Sequence, residues 1–254
     1  MEEITSRSNP LMTHIRKLVA DRKQRRAAGE MVCEGPKMLK EALMWGAEIT
    51  VVLESEGTGS LPELPAGVRR VRVPRDLLHA VADTQTPQEL LFLCRMPDMT
   101  LPEQLSGSRY LVLDGLQDPG NVGTIWRTAD AFGADGLILL PGCADPWSPK
   151  TLRGSMGACF RLPLWEATLP EISERLAKNN LPLWAAALRE DAEDLRRISF
   201  TRGAVVIGNE GRGVSPEVLA TCSRTLKIPM RDRCESLNAA TAASVILWVM
   251  SAEN

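Results

Sequence analysis

From Tyr110 onward the chain alternates short, wholly apolar runs with amphipathic segments: YLVLDGL, then NVGTIWRTADAFGA, GLILL, a helical piece around Thr151 to Cys159, and RLPLW. LPEISERLAKNN, LPLWAAAL, AVVIGN, SPEVLATC and RTLKIPM continue the pattern, and SLNAATAASVILWVMSA closes it with a helix. Strands without polar alternation must be buried on both faces. Separated by helices, they predict a parallel sheet covered on each side, an α/β fold. In such sheets, sites lie in the loops beyond the carboxyl ends of the strands. Three polar loops are placed there: GLQDPGNVG, GNEGRGVS and PMRDRCESLN.

The residues before Tyr110 form a smaller α/β unit. Asn9-Pro10 opens and Gly29 closes a helix, NPLMTHIRKLVADRKQRRAAG. Strand Met31–Cys33, helix Lys37–Trp45, strands ITVVLE, VRRVRVP and ELLFLCRM, and a helix over Arg75–Ala82 follow. The proline-rich MPDMTLPEQLSGS reads as a linker. The expected division is a unit over 1–95, a linker over 96–108 and a parallel-sheet domain over 109–254.

Composition removes several classes. A 44% apolar content supports a substantial core, and a formal charge of −2 announces no acidic partner for the chain as a whole. Six scattered cysteines make no Cys-x-x-Cys pair, which points to reduced thiols in a cytoplasmic protein, with no metal site expected. The polar start MEEITSRSNP and the lack of a long apolar run predict neither a secretory signal nor a membrane span. His14 and His79 lie far in sequence from Cys234, so a thiol nucleophile has no evident base. The dispersed tryptophans form no stacking platform.

A glycine-rich turn after a strand raises the question of a phosphate cradle. The dinucleotide fingerprint runs Gly-x-Gly-x-x-Gly at the first strand–helix turn. Here Gly208, Gly211 and Gly213 reverse that spacing late in the chain, no Walker sequence occurs, and Glu210 would repel a phosphate. A nucleotide-dependent oxidoreductase is therefore disfavoured. Taken singly, Arg127 reads as a solvated helix residue, Asn121, Ser236 and Asn238 as helix caps, and Glu210 as an exposed turn.

Together the loops carry more information. Asn121-x-Gly123-x-x-x-Arg127-Thr-Ala, Gly208-Asn-Glu210-Gly-x-Gly213 and Ile228-Pro-Met230 with Ser236-Leu-Asn238 resemble the three signature motifs of the SpoU/TrmH family. These are SPOUT-class RNA ribose 2′-O-methyltransferases that use S-adenosylmethionine. ITSRSNP, VCEGPKMLKEA and DTQTPQE are similar to the RNA-binding domain that precedes the catalytic one in many members. Two departures stand out: Ala239-Ala240-Thr241 where the family has Val and a small residue, and no glycine after the glutamine of TPQE.

The resemblance implies a SPOUT domain with a deep trefoil knot, preceded by a small α/β RNA-binding domain, in a homodimer. It implies cofactor contacts from Gly208, Ile228, Met230 and Leu237, and catalytic-site roles for Arg127, Glu210, Asn121, Ser236 and Asn238. Arg127 would stabilise the reacting hydroxyl, and Glu210 would orient Arg127 or Asn121. Ribosomal or transfer RNA is the implied substrate; a noncatalytic RNA-binding protein retaining the fold is the alternative. In that setting Arg16, Lys17, Arg22, Lys23, Arg25 and Arg26, opposed only by Asp21, form a candidate phosphate-binding stripe. The closing helix offers Ala242, Val245, Ile246, Val249 and Met250 as an apolar face for dimerisation.

Overall fold

A computed structural model describes residues 2–231, 233, 234 and 236–251. Glu235, the neighbour of Cys234, and Ala252, the expected end of the last helix, lie outside the described residues. The chain divides into two compact units, one of residues 1–97 and 145–160, the other of 98–144 and 161–254.

The first unit opens with β1 (Glu2–Glu3), α1 (Pro10–Ala20), α2 (Arg22–Ala28), β2 (Glu30–Glu34) and α3 (Pro36–Met44). It continues through β3 (Ile49–Glu54), β4 (Arg69–Arg72), α4 (Arg75–His79) and β5 (Leu90–Arg95). Its sheet has the order β1-β4-β3-β5-β2, with β5 antiparallel to both its neighbours. Met12, Ile15 and Leu18 of α1 recur at helical spacing and pack with Leu53, Val71 and Leu93 in one core.

The single helix expected over residues 10–28 is two. Asp21 is extended, with φ −131° and ψ 120°, and its carboxylate accepts the amide of Lys23 at 2.7 Å. The chain exchanges one turn of helix for a cap that starts α2 in a new direction. This rotation buries Arg25, which is 4% exposed. Its Nε and Nη2 donate to Asp145 at 2.8 and 2.6 Å, and its Nη1 to the carbonyls of Leu18 and Val19. The basic stripe is corrected accordingly: Arg25 is a core ion pair, while Arg16, Lys17, Arg22, Lys23 and Arg26 stay exposed. His14 and His79 are each paired with a carboxylate, Glu30 and Glu89.

The remaining elements are β6 (Arg109–Asp114), α5 (Pro119–Ala131), β7 (Gly136–Leu139), α6 (Pro149–Ser155), β8 (Leu164–Glu166), α7 (Leu169–Lys178) and β9 (Leu183–Ala186). Then come β10 (Glu193–Asp194), β11 (Gly203–Gly208), α8 (Pro216–Thr221), β12 (Arg224–Lys227) and α9 (Ala239–Ser251). Of these, α6 belongs to the first unit. The others build a seven-stranded sheet, parallel throughout, in the order β10-β12-β9-β11-β6-β7-β8. The stretch read as a linker contributes to this unit: Leu101 and Leu105 are buried in its core, and Thr100 bridges Glu166.

The sheet grows outward from β6 through β7 to β8, then resumes on the other side of β6 with β9 and β11. The reversal falls between β6 and β11, where a parallel sheet opens a crevice. The two strands end in register, Gly208 opposite Asp114, so their loops emerge side by side.

Candidate active site

Loop 115–118 leaves β6 and enters α5 through Asp118, whose carboxylate accepts the amide of Gly120 at 2.8 Å, with Pro119 in the first turn. Asp118 therefore caps α5, and Asn121 is free for other work. Asn121 is 8% exposed; its Nδ2 donates to Glu210 Oε1 at 3.0 Å and its Oδ1 accepts from Asn238 Nδ2 at 3.1 Å. Glu210 also accepts the amides of Gln117 at 3.1 Å and Asp118 at 3.0 Å. Asn238 in turn caps α9 by accepting the amides of Ala240 and Thr241. Its reading as a helix cap holds, and the same side chain also bonds Asn121. One chain of hydrogen bonds thus ties the three loops.

Partial burial raises the pKa of the Glu210 carboxyl, but the hydrogen bonds from Asn121, Gln117 and Asp118 outweigh it and hold the carboxyl below its ordinary range. Arg127 is exposed on α5, six residues or about 9 Å of helix beyond Asn121. Glu210 engages Asn121 rather than Arg127 among the described residues. Ser236 and Leu237 are exposed in the loop before α9.

The GNEGRG turn is stiff. Asn209 and Gly213 exchange two backbone hydrogen bonds of 2.9 Å. The side chain of Asn209 accepts the amides of Gly211 and Arg212 at 3.0 and 3.1 Å and donates to Gly115 O at 2.7 Å. Gly208 has no room for a side chain: a Cβ there would stand 2.1 Å from Gly213 C and Val214 N. Asp114, 9% exposed, fastens the far end by accepting the amide of Ser215 at 2.7 Å. Sequence reasoning missed Asn209 and Asp114. For Asn209 the signal was available, because an Asn two residues before a Gly commonly folds its side chain onto the backbone of its own turn.

These loops wall a cavity of about 450 Å³, within the range of small-ligand sites. Gly208, Ile228, Met230 and Leu237 all line it, as do Glu210 and Ser236. Asn121, Arg127 and Asn238 are not on its wall. Its wall is mixed: apolar Ile207, Val214, Leu226, Ile228, Met230 and Leu237 stand with charged Arg189, Glu210, Arg212 and Lys227. No group of three or more His, Cys, Asp or Glu able to hold a metal occurs among the described residues. Burial raises the thiols of Cys143 and Cys222 to about 11, leaving them unreactive.

Residues 108–248 match the SpoU rRNA Methylase family, and residues 9–91 match the MRM3-like substrate binding domain. The 23S rRNA (guanosine(2553)-2′-O)-methyltransferase RlmP of Bacillus subtilis (strain 168) is 32% identical, covering 98% of both chains. The 23S rRNA (uridine(2479)-2′-O)-methyltransferase of Streptomyces viridochromogenes is 31% identical, covering 96% of this chain and 90% of its own. The AdoMet-bound rRNA methyltransferase of Sinorhizobium meliloti superposes with a TM-score of 0.85 at 28% identity, covering 98% and 97% of the two chains. Over the parallel sheet and its three loops, the chain belongs to the SpoU rRNA methylase family.

Proposed function

We propose that this protein transfers a methyl group from S-adenosylmethionine to a ribose 2′-hydroxyl of ribosomal or transfer RNA. The observation that carries the reading is the joining of three separate loops by Glu210, Asn121 and Asn238 beside a cavity of small-ligand size. The full-length match to named 23S rRNA 2′-O-methyltransferases favours ribosomal RNA. It also disfavours a noncatalytic RNA-binding role, since every expected site residue is present.

In this reading Gly208, Ile228, Met230 and Leu237 hold the cofactor, which when bound supplies an electrophilic sulfonium methyl. A neutral hydroxyl is a poor nucleophile, so the chain must align it and stabilise the charge it develops. Arg127 serves that purpose as a hydrogen-bond donor and positive charge. It is not a base, because a guanidinium stays protonated. Glu210 and Asn121 act by fixing loops 115–118, 209–213 and 236–238 relative to one another, and Ser236 presents an exposed hydroxyl at the cavity. The proton leaves to solvent or to an RNA phosphate.

A trefoil knot in the final segments is supported by the family and by α9 packing on α5 after the chain has passed through β12. Homodimerisation is supported by α9: Ala243, Ile246, Leu247 and Met250 are spent on its own core, while Val245 and Trp248 remain 36% and 63% exposed. The apolar face anticipated for a partner is thus narrower than the sequence implied, lacking Ile246 and Met250. RNA binding by the first unit is supported by its match to a substrate binding domain. Six free cysteines, four of them buried, favour a cytoplasmic protein. Among the described residues no helix is long and apolar enough to cross a membrane.

The decisive experiment incubates the purified protein with labelled S-adenosylmethionine and an unmodified 23S rRNA transcript or unmodified tRNA, then maps alkali-resistant linkages. A single ribose-methylated position is expected. A folded, cofactor-binding protein that labels neither RNA would overturn the catalytic reading.

A further inference from the structure

Three cations stand on the wall of the cofactor cavity: Arg189, Arg212 and Lys227. Two are committed. Arg189 donates twice to Asp191, at 2.9 and 3.2 Å, and Lys227 Nζ donates to the carbonyls of Arg189 and Glu190 at 3.2 and 3.3 Å. The Arg212 guanidinium is exposed and makes no hydrogen bond or ion pair with a described residue. The nearest acid in sequence, Glu210, is the one carboxylate on that wall among the described residues, and it is taken up by Gln117, Asp118 and Asn121.

The backbone of Arg212 is, by contrast, held firmly. Its amide donates to Asn209 Oδ1 at 3.1 Å inside a turn closed by the paired Asn209–Gly213 backbone bonds and anchored to Gly115. Only the side chain is free to choose a partner. A long cation on a firmly held backbone, without an anion among the described residues at the mouth of the cavity, is arranged to meet an anion that arrives from outside. Under the RNA-methylation reading, on which this inference rests, the arriving ribose is flanked on both sides by phosphodiesters. The planar guanidinium matches a phosphate through two parallel hydrogen bonds.

We infer that Arg212 is a positioning residue that grips a backbone phosphate next to the target ribose and seats the nucleotide at the cavity mouth. It contributes to RNA recognition without touching the reacting atoms. Asn209 supports it by holding the turn, and also shapes the cavity; the two residues therefore have separable signatures.

The test uses the full chain, S-adenosylmethionine and an unmodified 23S rRNA transcript, with methylation kinetics, cofactor calorimetry and RNA binding across a salt series. Arg212→Ala should raise the KM for RNA about tenfold, as expected for one charge-assisted bond. The slope of log affinity against log salt should shrink by about 0.7 to 0.9, one phosphate contact. Cofactor affinity and turnover at saturating RNA should stay within about threefold of wild type, which one lost peripheral contact permits. Arg212→Lys should restore the salt slope but not all of the KM. Asn209→Ala should weaken cofactor and RNA binding together.

An unchanged KM and salt slope in an otherwise active enzyme would show Arg212 to be an ordinary solvated residue and overturn the inference. So would a loss of cofactor affinity matching the loss of RNA affinity, or a collapse of turnover with KM unchanged. A wild-type protein that binds cofactor yet methylates neither RNA would instead bring down the functional reading, and Arg212's role with it.

Discussion

Replacing Gly208 with alanine tests whether the 209–213 turn must be closed for the proposed cofactor binding. Gly208 is not one of the glycines with positive φ, so the position demands space rather than backbone freedom. The added Cβ would lie 2.1 Å from Gly213 C and Val214 N and 2.5 Å from Gly213 O, all backbone atoms, whereas real Cβ contacts stay beyond 3.0 Å. The turn must therefore open by about 1 Å. Two backbone bonds of 2.9 Å between Asn209 and Gly213 would then exceed hydrogen-bonding range. At roughly 0.5–1.5 kcal/mol each, the closed turn loses about 2 kcal/mol. If binding requires the closed turn, that penalty lowers cofactor affinity about 30-fold. Calorimetric titration with S-adenosylmethionine measures it, with circular dichroism melting as the control for folding. A folded Gly208→Ala protein that binds within threefold of wild type would refute the argument, showing that the turn can relax without cost to the cavity.

Arg127→Ala should lower single-turnover methylation at saturating RNA by about 100- to 1000-fold with little change in cofactor affinity, and Arg127→Lys should rescue it poorly; near-normal turnover would make Arg127 structural. Arg25→Ala should destabilise the protein by about 1.5–3 kcal/mol in denaturant titrations, because buried Asp145 would lose its two short bonds from Arg25 and keep only the Trp147 amide and the longer contact with Arg22. Neutralising Arg16, Lys17 and Lys23 together should leave stability nearly unchanged while flattening the salt dependence of RNA binding. Glu210 binds its proton less readily folded than unfolded, so its contribution is complete above the ordinary carboxylate pKa of about 4.3 and is lost as pH falls through the lower folded value. Thermal melts over about pH 3 to 6 should show a shallower acid limb in Glu210→Gln than in wild type.

The alternation of apolar strands with helices was enough to expect the parallel sheet, because full burial leaves no other pattern for its strands. The candidate site residues were legible as three motifs, each too short to stand alone, and the structure joins Asn121, Glu210 and Asn238 of them by hydrogen bonds. What the sequence did not reveal is mostly decided by partners distant in the chain. Arg25 lies in a basic run interrupted only by Gln24, and what sets it apart is burial against Asp145, 120 residues away, and against the Leu18 and Val19 carbonyls. Asp21 looks like a lone acid among bases until its capping bond shows that it divides the helix. Of the piece read as helical around Thr151 to Cys159, the α-helix reaches Ser155 and left-handed Met156 breaks it before a short 3-10 turn, and nothing local places it with the first unit. On α9 the apolar residues run nearly all around, so periodicity could not say which ones face the protein's own core.

The excursion of residues 145–160 also bears on how the chain is made. A ribosome releases residues 1–97 first, but the unit they belong to is incomplete until Phe160 has emerged. By then β6, α5 and β7 of the other unit are already outside. Synthesis in order therefore does not finish one unit before beginning the next, as it does for domains strung end to end. Until Asp145 appears, Arg25 has no anion to pair with, and the first unit must wait with that charge still in water.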